Sequence, residues 1–384
     1  MKVLHYCGTF SRLSQTFIYD VILQLNEENL SNVVVANKLS NRIDRPYANV
    51  IKLPAGQTIG TVLKKLLGKL RLYKYNWRED SEKKKARDLQ KVVSIEKPNV
   101  IHAHFGTHGC VILPVALELG IPLVVSFHGF DAFRLPHEKG WSAKYLDLFA
   151  GASAVTVVSQ LMKAHLLNLG CPADKLKVIH VGKKMRDYTF RKAQPDAVRS
   201  FVSIGRLTAK KGHEDAICAF QKVLKTHPEL SLEIIGTGEQ ETELKLLIAD
   251  APLHQNITLS GALSHPETKK RLAASDAFIL CSKTGPNGDM EGIPTVLMEA
   301  QAMGLPCVST IHSGIPEVIP AENQWLLANE GNVDAIADKI LKLVEAGQAD
   351  LEDVAKRGRE KVEQEFNLET EVRKLKELYR QLNA

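Results

Sequence analysis

What this chain lacks narrows its identity first. No stretch approaches the ~20 consecutive apolar residues of a membrane-spanning helix. The N-terminus opens on Lys2-Val3-Leu4-His5-Tyr6, which is strand-like and unlike a secretory leader, so a cytoplasmic protein is expected. The six cysteines, Cys7, Cys110, Cys171, Cys218, Cys281 and Cys307, lie far apart with no Cys-x-x-Cys pair, which indicates neither a zinc site nor a disulfide framework. Charge of one sign is also scarce. Fifty Lys and Arg against 44 Asp and Glu leave +6 over 384 residues, short of the basic stripe of a nucleic-acid binder. No nucleic-acid partner is expected, whereas an anionic small ligand or membrane surface suits that charge. No repeat of 20 to 50 residues is visible, and Asp-x-Asp, a spacing that holds a divalent cation between paired carboxylates, does not occur.

What is present is an ordinary globular composition, 44% hydrophobic and 24% charged, in a chain long enough for two domains. Short β-branched or apolar runs alternate with amphipathic segments, the pattern of an α/β chain with doubly wound parallel sheets. The pattern occurs twice. Strands are expected at 3–6, 33–36, 100–103, 123–127, 154–158 and 177–181, then at 201–204, 232–235, 257–259, 277–280 and 306–309. Periodicity lapses over 184–200, which reads as a linker between a domain at 1–183 and one at 201–367. Beyond Val333 the chain reads as helical. It ends in a helix over 368–384 whose Val372, Leu375, Leu378 and Tyr379 share one face, as needed to pack back on the first domain. Parallel sheets bind ligands at the carboxyl ends of their strands, so the site is sought in the loops there, in a cleft between the domains.

The most informative segment is Gly288-Asp289-Met290-Glu291-Gly292-Ile293-Pro294-Thr295, continuing to Glu299 and Gly304. Pro294 suits the first helical position and Gly304 the stop. Glu291 then lies at the helix mouth and Glu299 about one and a half turns inside. Free amides near Ile293 to Val296 offer an anion site between the two carboxylates. A carboxylate can accept two hydroxyl bonds from a diol, so the set suits a sugar, phosphates and a ribose in line. Gly205-Arg206, with Lys211-Gly212 after it, follows a strand and supplies two cations for a diphosphate. Gly236-Thr237-Gly238 lacks a third glycine and marks a tight turn. In the first half, Ser126-Phe127-His128-Gly129-Phe130-Asp131 follows a strand, making His128 the best-placed titratable group, with Asp131 beside it. Gly8 to Ser14 forms a further loop after the first strand. His102, His104 and His108 are joined by no carboxylate, and His108 sits beyond a glycine turn, so no metal site is expected.

Together these segments resemble the retaining GT-B glycosyltransferases of family four, in particular the exopolysaccharide and lipopolysaccharide branch with its colanic acid glycosyltransferases. The resemblance runs through His102-Ala103-His104-Phe105-Gly106, the His128 to Asp131 segment, Gly205-Arg206-Leu207 with Lys211-Gly212, Gly236-Thr237-Gly238, the Glu291-x7-Glu299 signature and Ser313-Gly314-Ile315-Pro316-Glu317. It implies a GT-B fold, two Rossmann-like domains facing across a cleft. It implies transfer of a hexose from a UDP- or GDP-sugar to a glycan or lipid-linked glycan. Arg206 and Lys211 would then bind the donor diphosphate, Glu291 the transferred sugar and Glu299 the ribose. Gly205, Gly292, Ile293, Pro294 and Thr295 would line the donor, the backbone around Gly261 to Leu263 would meet the base, and His128 would stand beside the anomeric centre. Gly8, Thr9, His104 and Asp131 are the acceptor-side candidates. The chain departs from the family at Cys7-Gly8-Thr9, which lacks paired glycines, and at Val181-Gly182-Lys183-Lys184, where Asn-Gly-Ile-Asp is more usual.

Without Asp-x-Asp, helix amides with Arg206 and Lys211 must neutralise the diphosphate. A metal-independent, cofactor-free enzyme is therefore expected, transferring sugar by a front-face route. The acid-free segment 61–78 interleaves Leu, Tyr and Trp with Lys and Arg, suiting a helix on an anionic bilayer surface as well as an amphipathic helix on the first domain. A peripheral position on the inner face of the cytoplasmic membrane would follow. A noncatalytic nucleotide-sugar binding protein or a GT-B epimerase would use the same motifs.

Overall fold

The computed structural model describes residues 1–12, 15–54, 77–191 and 196–384. Most of the basic segment, 61–76, lies outside the described residues, as do residues 13–14 of the first loop and 192–195 of the expected linker. The chain forms two compact units. One comprises Met1–Val157, Lys163–Ile179 and Val372–Ala384, and the other Val158–Met162 and His180–Glu371.

The first unit holds seven parallel strands, β1 (Lys2–Phe10), β2 (Ser31–Leu39), β3 (Val50–Lys52), β4 (Val100–His104), β5 (Leu123–Phe127), β6 (Ala154–Val157) and β7 (Leu176–Val178), in the order β3-β2-β1-β4-β5-β6-β7. The second holds six, β8 (Ser200–Ile204), β9 (Ser231–Ile235), β10 (Ile257–Gly261), β11 (Ala277–Leu280), β12 (Cys307–Ile311) and β13 (Leu327–Asn329), in the order β10-β9-β8-β11-β12-β13. Strand order reverses between β1 and β4 in one sheet and between β8 and β11 in the other. Those reversals are where an open α/β sheet leaves room for a ligand. Val202, Phe278, Leu280 and Leu297 bury one face of the second sheet, and Phe201, Phe220, Ile234 and Ile279 the other. Both faces being covered, its strands read as continuous apolar runs.

Three features differ from the sequence expectation. The edge strands β3 and β13 are three residues long, too short to show a period. Strand β1 runs to Phe10 because β2 stays paired with it through Leu39, so Gly8 and Thr9 lie within the strand instead of in a loop after it. After contributing Val158–Met162, the chain re-enters the second unit at His180, ahead of the expected linker. There Lys183 N–H donates to Phe366 O at 2.8 Å and Leu368 N–H donates to Lys183 O at 3.0 Å, bracketing the chain. A Cβ on Gly182 would stand 2.4 Å from Leu368 Cα, so only glycine lets the two segments cross this closely. The helix Leu368–Leu382 follows, and from Val372 onward it belongs to the first unit.

Candidate functional site

The second unit gathers its charged side chains at the exits of β8 and β11. After β8 the chain passes Gly205 and the exposed Arg206 into a tight turn over Ala209–Lys211, closed by Gly212 in the left-handed region at φ 63°. A Cβ there would fall 1.7 Å from Cys281 O, so Gly212 seats the Lys210–Lys211 turn directly against the end of β11. Lys211 Nζ stands 3.3 Å and Lys210 Nζ 3.9 Å from Glu291 Oε1, and Lys210 also lies 3.2 Å from Asp289. Burial pushes the Glu291 carboxyl up, but the two ammonium groups outweigh it and hold the pKa below the ordinary value. Burial lowers the pKa of Lys211, against the opposing pull of Glu291. Glu291 is thus a buried, ionised carboxylate in a cationic loop.

The segment from His312 to Gly314 fixes the loop around Glu291. Glu291 N–H donates to His312 Nε2 at 3.2 Å. His312 Nδ1 therefore carries the proton and donates to Glu330 at 2.6 Å. Ser313 Oγ donates to Glu291 O at 2.6 Å, and Gly314 N–H to Gly292 O at 3.2 Å. The helix Thr295–Ala302 begins one residue later than expected, because Pro294 keeps an extended ψ of 112° and acts as the N-cap. Pro294 offers no side-chain cap, so the first amides keep their donor capacity. Gly292 and Ile293 are buried, whereas Thr295 is half-buried. Gly261 ends β10 at φ 71°, and Leu263 packs partly on the core beneath.

Glu299 does not stand open. It is buried and paired with the equally buried Lys183, Nζ to Oε1 2.5 Å. Sequence reading missed Lys183, His312 and Glu330. Lys183 and Glu299 lie 116 positions apart, and no local period links them.

In the first unit Asp131 is fully buried and accepts three backbone N–H groups, Gly106 at 2.9 Å, His128 at 3.0 Å and Gly129 at 3.1 Å. Burial raises its pKa, and those three bonds pull it back. The carboxylate so engaged orders the loop after β5. His128 is held between Phe17 and Phe105, ring centroids 4.6 and 4.8 Å away. Both of its ring nitrogens are buried without a partner among the described residues, and burial lowers its pKa to about 3. The imidazole is neutral near pH 7.

His104 is buried in a group that sequence reading only half saw, because its third member, His5, sits across the sheet from His102. Asn32 Nδ2 donates to Leu30 O, which turns Asn32 Oδ1 toward His5 Nε2 at 3.0 Å and fixes the proton there. His5 Nδ1 then accepts from His104 Nε2 at 3.2 Å. His102 meets the Tyr379 hydroxyl and Ser126 Oγ, each at 2.6 Å. Ligand atoms of His5, His102 and His104 lie within 4.8 Å of one another, the described residues closest to a metal-ligand set. Bonds to Asn32, Tyr379 and Ser126 place His5 and His102, whereas His104 bonds to His5 and its buried Nδ1 has no partner among the described residues.

Two doubly wound units with charged loops at the strand exits define the class. Residues 14–182 match the glycosyltransferase family 4 model and residues 185–361 the model of glycosyl transferases group 1. The putative colanic acid biosynthesis glycosyltransferase WcaL of Escherichia coli K12 is 34% identical over 290 residues, 74% of this chain and 71% of that one. The amylovoran biosynthesis glycosyltransferase AmsK of Erwinia amylovora is 37% identical over 299 residues, 76% and 73% of the two chains. Anabaena Alr3699/HepE, solved in complex with UDP and glucose, superposes with TM-score 0.77 at 18% identity over 99% of this chain and 100% of that one. The chain belongs to the family-four glycosyltransferases and has the GT-B fold.

Proposed function

We propose that the second unit binds a nucleoside diphosphate sugar and that the enzyme transfers its hexose, with retained configuration, to a glycan or lipid-linked glycan in surface polysaccharide synthesis. The observation that carries this reading is the pair of buried carboxylates, Glu291 and Glu299, on either side of an uncapped helix start. The diphosphate is assigned to those amides with Arg206 and Lys211, where anions are favoured without a cation cofactor. Glu291 is assigned to hydroxyls of the sugar, Glu299 to the ribose diol, and the backbone around Gly261 and Leu263 to the base. The polysaccharide assignment follows the names of the colanic acid and amylovoran relatives, and the UDP of the Anabaena structure supports a nucleotide donor.

In this reading His128, neutral through burial, stands beside the reacting carbon as a hydrogen-bonding group. No carboxylate is assigned as a nucleophile. A leaving phosphate oxygen takes the proton of the attacking hydroxyl as the glycosidic bond to the donor breaks on the same face. Gly8 and Thr9, in β1, and the buried His104 and Asp131 are assigned to the acceptor side. Among the described residues no helix is long and apolar enough to cross a membrane. The basic segment 61–78 is proposed, on composition alone, to bring the enzyme to an anionic membrane on its cytoplasmic face.

Thermal unfolding with UDP, GDP and their sugars tests the donor assignment. A ligand at 100 times its Kd adds about 2.7 kcal/mol of stability. One nucleotide should raise the Tm; no shift with any of them would remove the donor site. Trapping a covalent glycosyl adduct on a side chain would overturn the front-face route.

A further inference from the structure

Lys183 has no part in the donor reading above, yet it is the residue that touches Glu299. The ammonium is buried, 4% exposed, and its Nζ lies 2.5 Å from Oε1 of a carboxylate that is 6% exposed. Taking both groups out of water is costly, and the geometry that offsets it must be close. The backbone supplies that geometry. Lys183 is clamped by Phe366 O and Leu368 N–H, and Gly182 permits the crossing. The lysine thus enters from a separate segment, held in register by the stretch that leads into the last helix. Glu299 is anchored independently, on the second turn of its helix. Two fixed elements meet at one ion pair.

We infer that Lys183 is a positioning residue for nucleotide recognition: its ion pair holds the Glu299 carboxylate turned so that its remaining acceptor capacity meets the ribose diol. The inference rests on the donor reading. Its chemistry is direct. An ionised carboxylate offers about four lone-pair sites, of which one ammonium engages one, leaving acceptors for two hydroxyls. Without the lysine, the carboxylate loses the contact that fixes its orientation, and its acceptors are no longer aimed at two hydroxyls. A lysine that merely occupied the ribose position in the empty enzyme would have the opposite effect, since its removal would strengthen binding.

The test is calorimetric titration of the full chain with UDP and GDP, each beside its 2′-deoxy counterpart, for wild type, Lys183→Met, Lys183→Gln, Lys183→Arg and Glu299→Gln. The expected result is that wild type prefers the ribonucleotide, and that Lys183→Met binds it about tenfold more weakly while its deoxy affinity is unchanged. Lys183→Arg should restore most of the preference. Lys183→Gln, should the Met variant fail to fold, is expected to lose the ribose preference in the same way, with its deoxy affinity unchanged. Loss of the ribose preference in Glu299→Gln but not in Lys183→Met or Lys183→Gln would leave the donor reading standing and overturn this inference. Tighter ribonucleotide binding in Lys183→Met would overturn it as well. If wild type itself shows no ribose preference, the ribose assignment of Glu299 fails, and the role of Lys183 fails with it.

Discussion

Acidification should unfasten the first unit through its buried histidines, and His5 gives the size of the effect. It is fully buried, and its proton is fixed on Nε2 by Asn32. A second proton on Nδ1 would face the N–H of His104 at 3.2 Å. Burial, eased slightly by the bond to Asn32, lowers the pKa from 6.5 to about 4. At about 1.36 kcal/mol per unit, the difference between unfolded and folded chains is worth roughly 3 kcal/mol. The sign follows from proton counting. Between pH 6.5 and 4 the unfolded chain binds a proton that the folded one refuses, so the stabilisation is complete above 6.5 and drains away as pH falls, about 2 kcal/mol of it by pH 5. His102 and His104, whose pKa values are also lowered by burial, steepen the loss. Urea unfolding followed by circular dichroism at pH 7.5 and pH 5.0 reads the total, and His5→Gln isolates one histidine. The variant should lose about 2 kcal/mol less than wild type between the two pH values. Equal losses in the two proteins would refute the reasoning.

Other perturbations probe separate links. Arg206→Ala or Glu299→Ala should each weaken nucleoside diphosphate binding by about 1.5 to 3 kcal/mol, the range for hydrogen bonds to charged groups; unchanged affinity in calorimetry would end that residue's assignment. Gly212→Ala places a Cβ against Cys281 O at a positive φ. It should cost roughly 2 to 4 kcal/mol in urea unfolding and displace the Lys210–Lys211 turn, weakening nucleotide binding as well. Asp131→Ala leaves the amides of Gly106, His128 and Gly129 without their acceptor. A loss of at least 2 kcal/mol in denaturant unfolding is expected, since each orphaned buried donor costs about 1 to 3 kcal/mol; a near-neutral change would show that the loop does not depend on this carboxylate.

Much of the fold was legible because burial on both faces turns parallel strands into apolar runs, and eleven expected runs coincide with or overlap strands of the two sheets. The terminal helix was legible from its single apolar face, and Tyr379, on that face, is fully buried against His102. The short edges β3 and β13 carry too few residues to show a pattern. In the candidate site, Pro294 and Gly304 framed the helix of Glu299 to within one residue, because proline and glycine act locally. What no local rule could supply is pairing across the chain. Lys183 read only as a departure at the hinge, and its contact with Glu299 depends on two crossing segments. His5 carries no motif, and only the register of β1 against β4 sets it beside His102. Asp131 was noticed for its type, whereas its role is set by the three amides it meets.

The most direct measurement is a crystal structure of the chain soaked with UDP or GDP, whichever raises its Tm. The expected density places the ribose hydroxyls on Glu299 and the diphosphate against Arg206, Lys211 and the first amides of the helix Thr295–Ala302, with Glu291 just beyond the terminal phosphate. Nucleotide bound elsewhere on the chain, or both carboxylates turned away from it, would contradict the donor site.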